Sequence, residues 1–200
     1  MIITIVYDND AKEGLKLGWG FSCLVENDKN ILFDTGNSGP KLLYNFQKLQ
    51  IDPRIIDTIV LSHNHWDHTG GLKALQRVSS GANVIGPKDF SDLYDISDEV
   101  FTTGALGSWP KEQSLVIRTE KGNIVITGCA HPGLDKILQK AKTLGKIHGV
   151  IGGFHKFSDF DKLAGIELLG PCHCTRYISE IRQRYPQHFR QICAGSIIEI

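Results

Sequence analysis

The segment LSHNHWDHTGG, residues 61–71, sets three histidines and an aspartate within six positions, after an apolar run and before two glycines. A solvated turn gains little from three imidazoles, and a packed core would have to desolvate them. A bound metal ion accounts for the grouping better than a histidine-rich turn without one. In an extended segment side chains alternate, so His63 and His65 point the same way and can grip one ion. Asp67 and His68 are adjacent, so they diverge and can serve a second ion beside the first. Gly70 and Gly71 let the backbone turn sharply and come close to the ions.

One loop cannot surround two ions, so further ligands must come from elsewhere. His131 stands before Pro132, which holds it extended and out of the following helix; the plainer alternative is a solvent-exposed histidine at that helix start. His173 lies in Cys172-His173-Cys174, where an extended backbone turns the imidazole one way and the two thiols the other. His173 is the favoured ligand, with the cysteines packed as small apolar groups. Cys129 follows Gly128 and could ligate or bridge the metals as a thiolate, or be an inert buried thiol. His155 follows Gly152-Gly153 and suits a proton shuttle or a substrate contact, with a structural role as the alternative. Asp34, in Phe33-Asp34-Thr35-Gly36, is the carboxylate expected to orient a ligating imidazole or its loop.

The elements that must position these residues alternate between β and α. Short β-rich runs cover Ile2 to Tyr7, Phe21 to Glu26, Asn30 to Phe33 and Thr58 to Leu61, and Asn27-Asp28-Lys29 makes a hairpin turn between the second and third. A helix begins near Pro40, with Leu42, Leu43, Phe46 and Leu49 on one face. Another follows the histidine motif, with Leu72 and Leu75 on one side. The second half reads as strand Ile124 to Thr127, a helix from Pro132, strand Ile147 to Ile151, strand Ile166 to Leu169, a helix through Tyr177, Ile178, Ile181 and Tyr185, and a closing strand Cys193 to Ile200. Such alternation implies sheets covered by helices. Six of the eight histidines, at 63, 65, 68, 131, 155 and 173, follow a predicted strand, where active sites of open α/β sheets collect.

Bulk properties narrow the function classes. Two hundred residues with 41% apolar and 22% charged content predict one globular domain over 1–200. Lys plus Arg and Asp plus Glu both total 22, so no basic excess points to nucleic acid or an anionic membrane. No apolar run approaches the roughly 20 residues of a membrane helix, and the N-terminus reads as a strand rather than a signal peptide. Five cysteines with no CxxC pair predict thiols. The expected location is the cytoplasm and the expected partner a small-molecule substrate.

HNHWDH resembles the HxHxDH signature of the metallo-β-lactamase superfamily, and Phe33-Asp34-Thr35-Gly36 and His173 fit it too. The resemblance spans essentially the whole chain. It implies a four-layer αβ/βα sandwich with two metal ions, held by His63, His65, Asp67, His68, His131 and His173. SHNHWDHTGGL, TGCAHPG, GGFH and PCHCT are similar to the branch around 7,8-dihydropterin-6-methyl-4-(β-D-ribofuranosyl)-aminobenzene-5′-phosphate synthase, a step of methanopterin synthesis. Two departures stand out: Cys129 follows Thr127-Gly128 where the superfamily usually has a bridging aspartate, and His131 takes the place of a histidine missing upstream. The ligand types suit two zinc ions, and also iron or manganese. The expected activity is metal-dependent hydrolysis or pyrophosphate-releasing transfer on a small phosphorylated or heterocyclic substrate, possible pterins included, with Asp67 and His155 as catalytic groups. A metal-loaded sensing module without turnover, and iron-based redox chemistry, are the alternatives.

Overall fold

A computed structural model describes residues 1–200, which fold as two compact units: Met1–Pro87 with Ile192–Ile200, and Lys88–Gln191. In the first unit, β1 (Ile2–Tyr7), β2 (Ser22–Glu26), β3 (Asn30–Phe33), β4 (Thr58–Val60), β5 (Asn83–Ile85) and β12 (Ile197–Glu199) form a sheet of order β12-β1-β2-β3-β4-β5. The β2–β3 pair is the antiparallel hairpin expected from Asn27-Asp28-Lys29, with Glu26 opposite Asn30. The β3, β4 and β5 strands run parallel, so the loops after them leave from one edge of the sheet.

Helix α1 (Gly39–Lys48) starts with Pro40 in its first turn and turns Leu42, Asn45 and Phe46 inward. Leu42 and Phe46 join Val6, Leu24, Leu32, Ile59 and Leu75 in a buried core; each side chain removed from water there contributes about 1.5–3 kcal/mol. Leu75 comes from α3 (Leu72–Val78), which follows a short helical turn, α2 (Trp66–Thr69). That turn departs from the extended reading of HNHWDH. The backbone is extended only as far as His65 (φ −72°, ψ 146°) and then coils.

The second unit carries β6 (Tyr94–Ser97), β7 (Val100–Thr102), β8 (Leu115–Ile117), β9 (Asn123–Thr127), β10 (Ile147–Gly153) and β11 (Leu168–Cys172), in the order β11-β10-β9-β8-β7-β6. The strands β9, β10 and β11 are parallel neighbours, which brings the loops that follow them to one edge. Helices α4 (Leu134–Ala141) and α5 (Ile178–Arg184) supply Leu134, Ile137, Leu138, Ala141 and Ile181 to a core with Val125, Val150 and Leu169.

Several boundaries move from the sequence reading. Helix α4 begins two residues after Pro132, because Gly133 N–H bonds the Ala130 carbonyl at 3.0 Å and closes a turn first. The closing strand shrinks to β12, since Ser196 N–H turns back to the Cys193 carbonyl and Ala194 N–H bonds Asp10 O. Strand β11 extends to Cys172 and includes Pro171, tolerable on the outermost strand of the sheet, where a missing N–H breaks little of the ladder. No helix is long and apolar enough to cross a membrane.

The five cysteines are thiols. Cys23, in β2, is fully buried, and that burial, reinforced by the nearby Asp34 carboxylate, pushes its thiol well above the usual range. The thiolate is the reactive form, so Cys23 is expected to resist alkylation by iodoacetamide at pH 8 until the protein is unfolded. Peptide mass analysis reads this directly; labelling of native protein at Cys23 at the rate of a solvent-exposed thiol would contradict it.

Candidate metal centre

The first unit gathers four of the expected ligands at the end of β4. His63, Asp67 and His68 are buried and His65 is exposed. The His63 ring lies 4.5 Å from that of His65 and 4.2 Å from that of His68, centroid to centroid. His68 Nε2 is 3.7 Å from Asp67 Oδ2, so these two side chains meet rather than diverge. The α2 turn is the reason: helical backbone swings successive side chains by about 100°, not the 180° of a strand.

Asp34 organises this cluster. It leaves the end of β3 in a left-handed conformation (φ 59°), which an aspartate tolerates better than most residues, and is fully buried. Its Oδ1 accepts the Ser62 backbone N–H at 2.7 Å, while Oδ2 accepts the Ser62 hydroxyl at 2.7 Å and contacts His68 Nδ1 at 2.6 Å. Ser62 Oγ is in turn 2.9 Å from His63 Nδ1. With the hydroxyl proton given to the carboxylate, His63 Nδ1–H must donate to Ser62 Oγ. His68 Nδ1–H likewise donates to Asp34. Both rings are thereby assigned the tautomer that leaves the Nε2 lone pair available for a metal. Asp34 thus meets His68 directly and His63 through Ser62, a residue that the sequence did not single out.

The glycines after the motif serve a different contact from the one expected. A Cβ on Gly71 would sit 2.2 Å from the Thr35 carbonyl oxygen, and Thr35 N–H and Oγ1 both bond the His68 carbonyl, at 2.8 and 2.9 Å. The close approach is thus to the loop after β3, and it locks that loop to the histidine motif.

In the second unit, His131, His155 and His173 follow β9, β10 and β11 in turn. Cys129 and His173 are buried, and their ligand atoms lie within 4.8 Å of each other. The His131 and His155 rings are half-buried, 5.1 Å apart. Ala130, His155 and His173 all adopt left-handed backbone, at φ 57°, 49° and 50°. Each such conformation costs a non-glycine residue about 1–2 kcal/mol, and strain of this kind gathers at functional sites. The left-handed turn at His173 breaks the simple alternation assumed for Cys172-His173-Cys174; Cys172 is buried and Cys174 half-buried, with Cys174 Sγ directed at the Cys129 carbonyl at 3.7 Å.

Glu112 is the residue that sequence reasoning missed. Its side chain has no exposed surface. Oε1 accepts the backbone N–H groups of Cys129 and Ala130, each at 2.8 Å. Oε2 accepts the His131 backbone N–H at 2.9 Å and contacts His131 Nδ1 at 2.8 Å. A lone glutamate in a stretch without helical or strand periodicity carries no local signal of such a role.

The donor set fits divalent metal: neutral imidazoles oriented through Nδ1, carboxylate, and a buried thiol suit zinc and its neighbours. Residues 20–97 match the model of the metallo-beta-lactamase superfamily. The chain is similar to the 7,8-dihydropterin-6-methyl-4-(beta-D-ribofuranosyl)-aminobenzene-5′-phosphate synthase of Methanocaldococcus jannaschii, at 26% identity over 90% of this chain and 89% of the relative. Among solved structures it is similar to Tm1679, described as a metal-dependent hydrolase of the beta-lactamase superfamily, with a TM-score of 0.82 and 27% identity over 100% of this chain and 99% of that one. YhfI of Bacillus subtilis, a metallo-beta-lactamase fold protein, shares the fold at a TM-score of 0.70 and 13% identity, over 98% of each chain. The chain is a metallo-β-lactamase-fold protein of the four-layer αβ/βα sandwich class, and its likeness to Tm1679 covers the whole chain.

Proposed function

We propose that the chain is a dinuclear metal-dependent enzyme that hydrolyses, or releases pyrophosphate from, a small phosphorylated or heterocyclic substrate. The observation that carries this reading is the buried His63–Asp67–His68 cluster, whose imidazoles are oriented through Nδ1 by Asp34 and Ser62. Orienting two rings in one tautomer serves no packing purpose, whereas it is what ligation through Nε2 requires. Similarity to a pterin-related synthase and to a metal-dependent hydrolase supports the reaction class.

As metal ligands we assign His63, His65, Asp67 and His68 in the first unit and His131 and His173 in the second, with Cys129 as a further thiolate donor. Zinc is the first choice of metal, with iron or manganese next. Bound there, the metal would supply a water of lowered pKa, from about 15.7 toward 7, and positive charge for a leaving oxygen. Asp67 would hold a metal and accept a hydrogen bond from the nucleophilic water, directing its lone pair. To His155, half-buried with its ring 5.1 Å from that of His131, we assign proton transfer to a departing group or a substrate contact. Trp19 and Trp66 are 52% and 61% exposed, and each adjoins one partner of the contact between Gly20 and the Asp67 carbonyl. Two exposed indoles beside a ligand loop suit a flat ring. The reading places the protein in the cytoplasm, acting without nucleic acid or membrane.

Protein purified without added metal is expected to contain about two divalent ions per chain by elemental analysis. A screen of phosphodiesters, thioesters, lactones and pterin diphosphates should find turnover that chelation abolishes. Asp67→Ala is expected to lower metal content and to cut turnover by about 10²–10⁴-fold; full metal and full turnover in that variant would remove Asp67 from the site. The thiol of Cys129 favours a second reading, a metal-loaded binding module, which tight ligand binding without turnover in the same screen would establish.

A further inference from the structure

Glu112 belongs to the loop between β7 and β8, far in sequence from any histidine motif. Its backbone is held on both sides, since Leu106 N–H bonds Glu112 O at 2.9 Å and Glu112 N–H bonds Leu106 O at 3.1 Å. The side chain that this anchoring delivers is a buried carboxylate with each oxygen engaged twice. Three of its four partners are consecutive backbone N–H groups, at Cys129, Ala130 and His131. The fourth is a ring nitrogen. A carboxylate has about four acceptor sites and no donor, so the ring nitrogen that meets it is Nδ1–H, and in the neutral ring Nε2 carries the lone pair.

We propose that Glu112 is the positioning residue of the second unit: it fixes the tautomer and ring direction of His131 so that Nε2 is presented as a metal ligand. The role parallels that of Asp34 toward His68 in the first unit, reached by a different residue type from a different kind of loop. Because Oε2 holds the backbone N–H and the ring Nδ1 of His131 together, the imidazole is locked relative to its own main chain. The carboxylate also supports the left-handed Ala130 between its two neighbours. The proposal rests on the preceding reading only in taking His131 as a ligand.

Glu112→Gln separates this role from simple loop support. Its amide oxygen can keep the Cys129 and Ala130 N–H bonds, which turns the NH₂ group toward His131, where the single bond from the His131 backbone N–H is given up. Nδ1 must then accept, and the ring proton moves to Nε2. Long-range ¹H–¹⁵N correlation spectra of metal-free, histidine-labelled protein report the tautomer, with the His131 signal assigned by its loss in His131→Ala. The expected result is Nδ1–H in the natural protein, Nε2–H in Glu112→Gln, and a fall of about 10–100-fold in zinc affinity measured with zinc alone. A natural protein with Nε2–H at His131 overturns the proposal, as does a folded Glu112→Gln with unchanged tautomer and zinc affinity. Should Glu112→Gln not fold, the spectrum of the natural protein still decides. Unchanged zinc binding in His131→Ala would instead defeat the ligand assignment, while leaving the contact with Glu112 to be judged by its own spectrum.

Discussion

Replacing Asp34 with alanine is expected to lower the thermal midpoint by on the order of 10 °C and to reduce bound metal together with it. The carboxylate is fully buried and meets three donors: Ser62 N–H, Ser62 O–H and His68 Nδ1–H. Deleting one partner of a buried polar network costs about 3–5 kcal/mol, because the groups left behind keep their desolvation penalty. Alanine at φ 59° adds about 1 kcal/mol of backbone strain that aspartate tolerates better. For a chain of this length each kcal/mol moves the midpoint by about 2–4 °C. Asp34→Asn keeps the shape but turns an NH₂ group toward His68 Nδ1 or the Ser62 N–H. It should therefore unfold nearer the natural protein while still losing metal. Calorimetry and elemental analysis on the two variants separate the packing role from the orienting role. An alanine variant that melts within 2 °C of the natural protein, at full metal content, would refute both.

Gly152→Ala is expected to destabilise the second unit by about 3–5 kcal/mol, through strain and overpacking together. Gly152 lies in β10 at φ +118°, a conformation that side chains with a Cβ rarely adopt. A Cβ there would also come 2.1 Å from the Thr127 carbonyl oxygen and 2.8 Å from its Oγ1. The carbonyl cannot give way, because Thr127 ends β9, which leads into the Cys129–His131 loop. Neighbouring strand ends would have to separate where His131 and His155 leave the sheet. Gly81→Ala supplies the control: it has a negative φ and nothing within 4 Å of the added methyl, so its stability should stay within about 0.5 kcal/mol of the natural protein. Urea unfolding of both variants checks the contrast, and a Gly152→Ala curve overlaying that of Gly81→Ala would show that the β9–β10 approach is not tight.

How much of this was legible beforehand depends on the range over which each feature is encoded. The strands β1 to β4 and β9, β10 carry dense β-branched and apolar runs bounded by turn residues, and α1 carries its own helical period; all lie within a residue or two of where the pattern placed them. The strands β5, β6 and β7 have three or four residues each, too few to show a period, and they form because neighbouring strands supply their hydrogen bonds. The meeting of Asp67 with His68 was also out of reach, since it depends on where extended chain gives way to the α2 turn.

The site divides in the same manner. HNHWDH, the carboxylate after β3 and the histidines after β9, β10 and β11 can be singled out from residue type and position alone, because these side chains and the strands they follow are neighbours in the chain. Parallel pairing of β9, β10 and β11 then set three of those loops along one sheet edge, which no local pattern states. The protonated nitrogen of each ring and the partners of Asp34, Ser62 and Glu112 were decided by tertiary structure. The physical reason is reach: a hydrogen bond spans about 3 Å, so residues 17 to 34 apart in sequence become partners only after the sheets have brought their loops together.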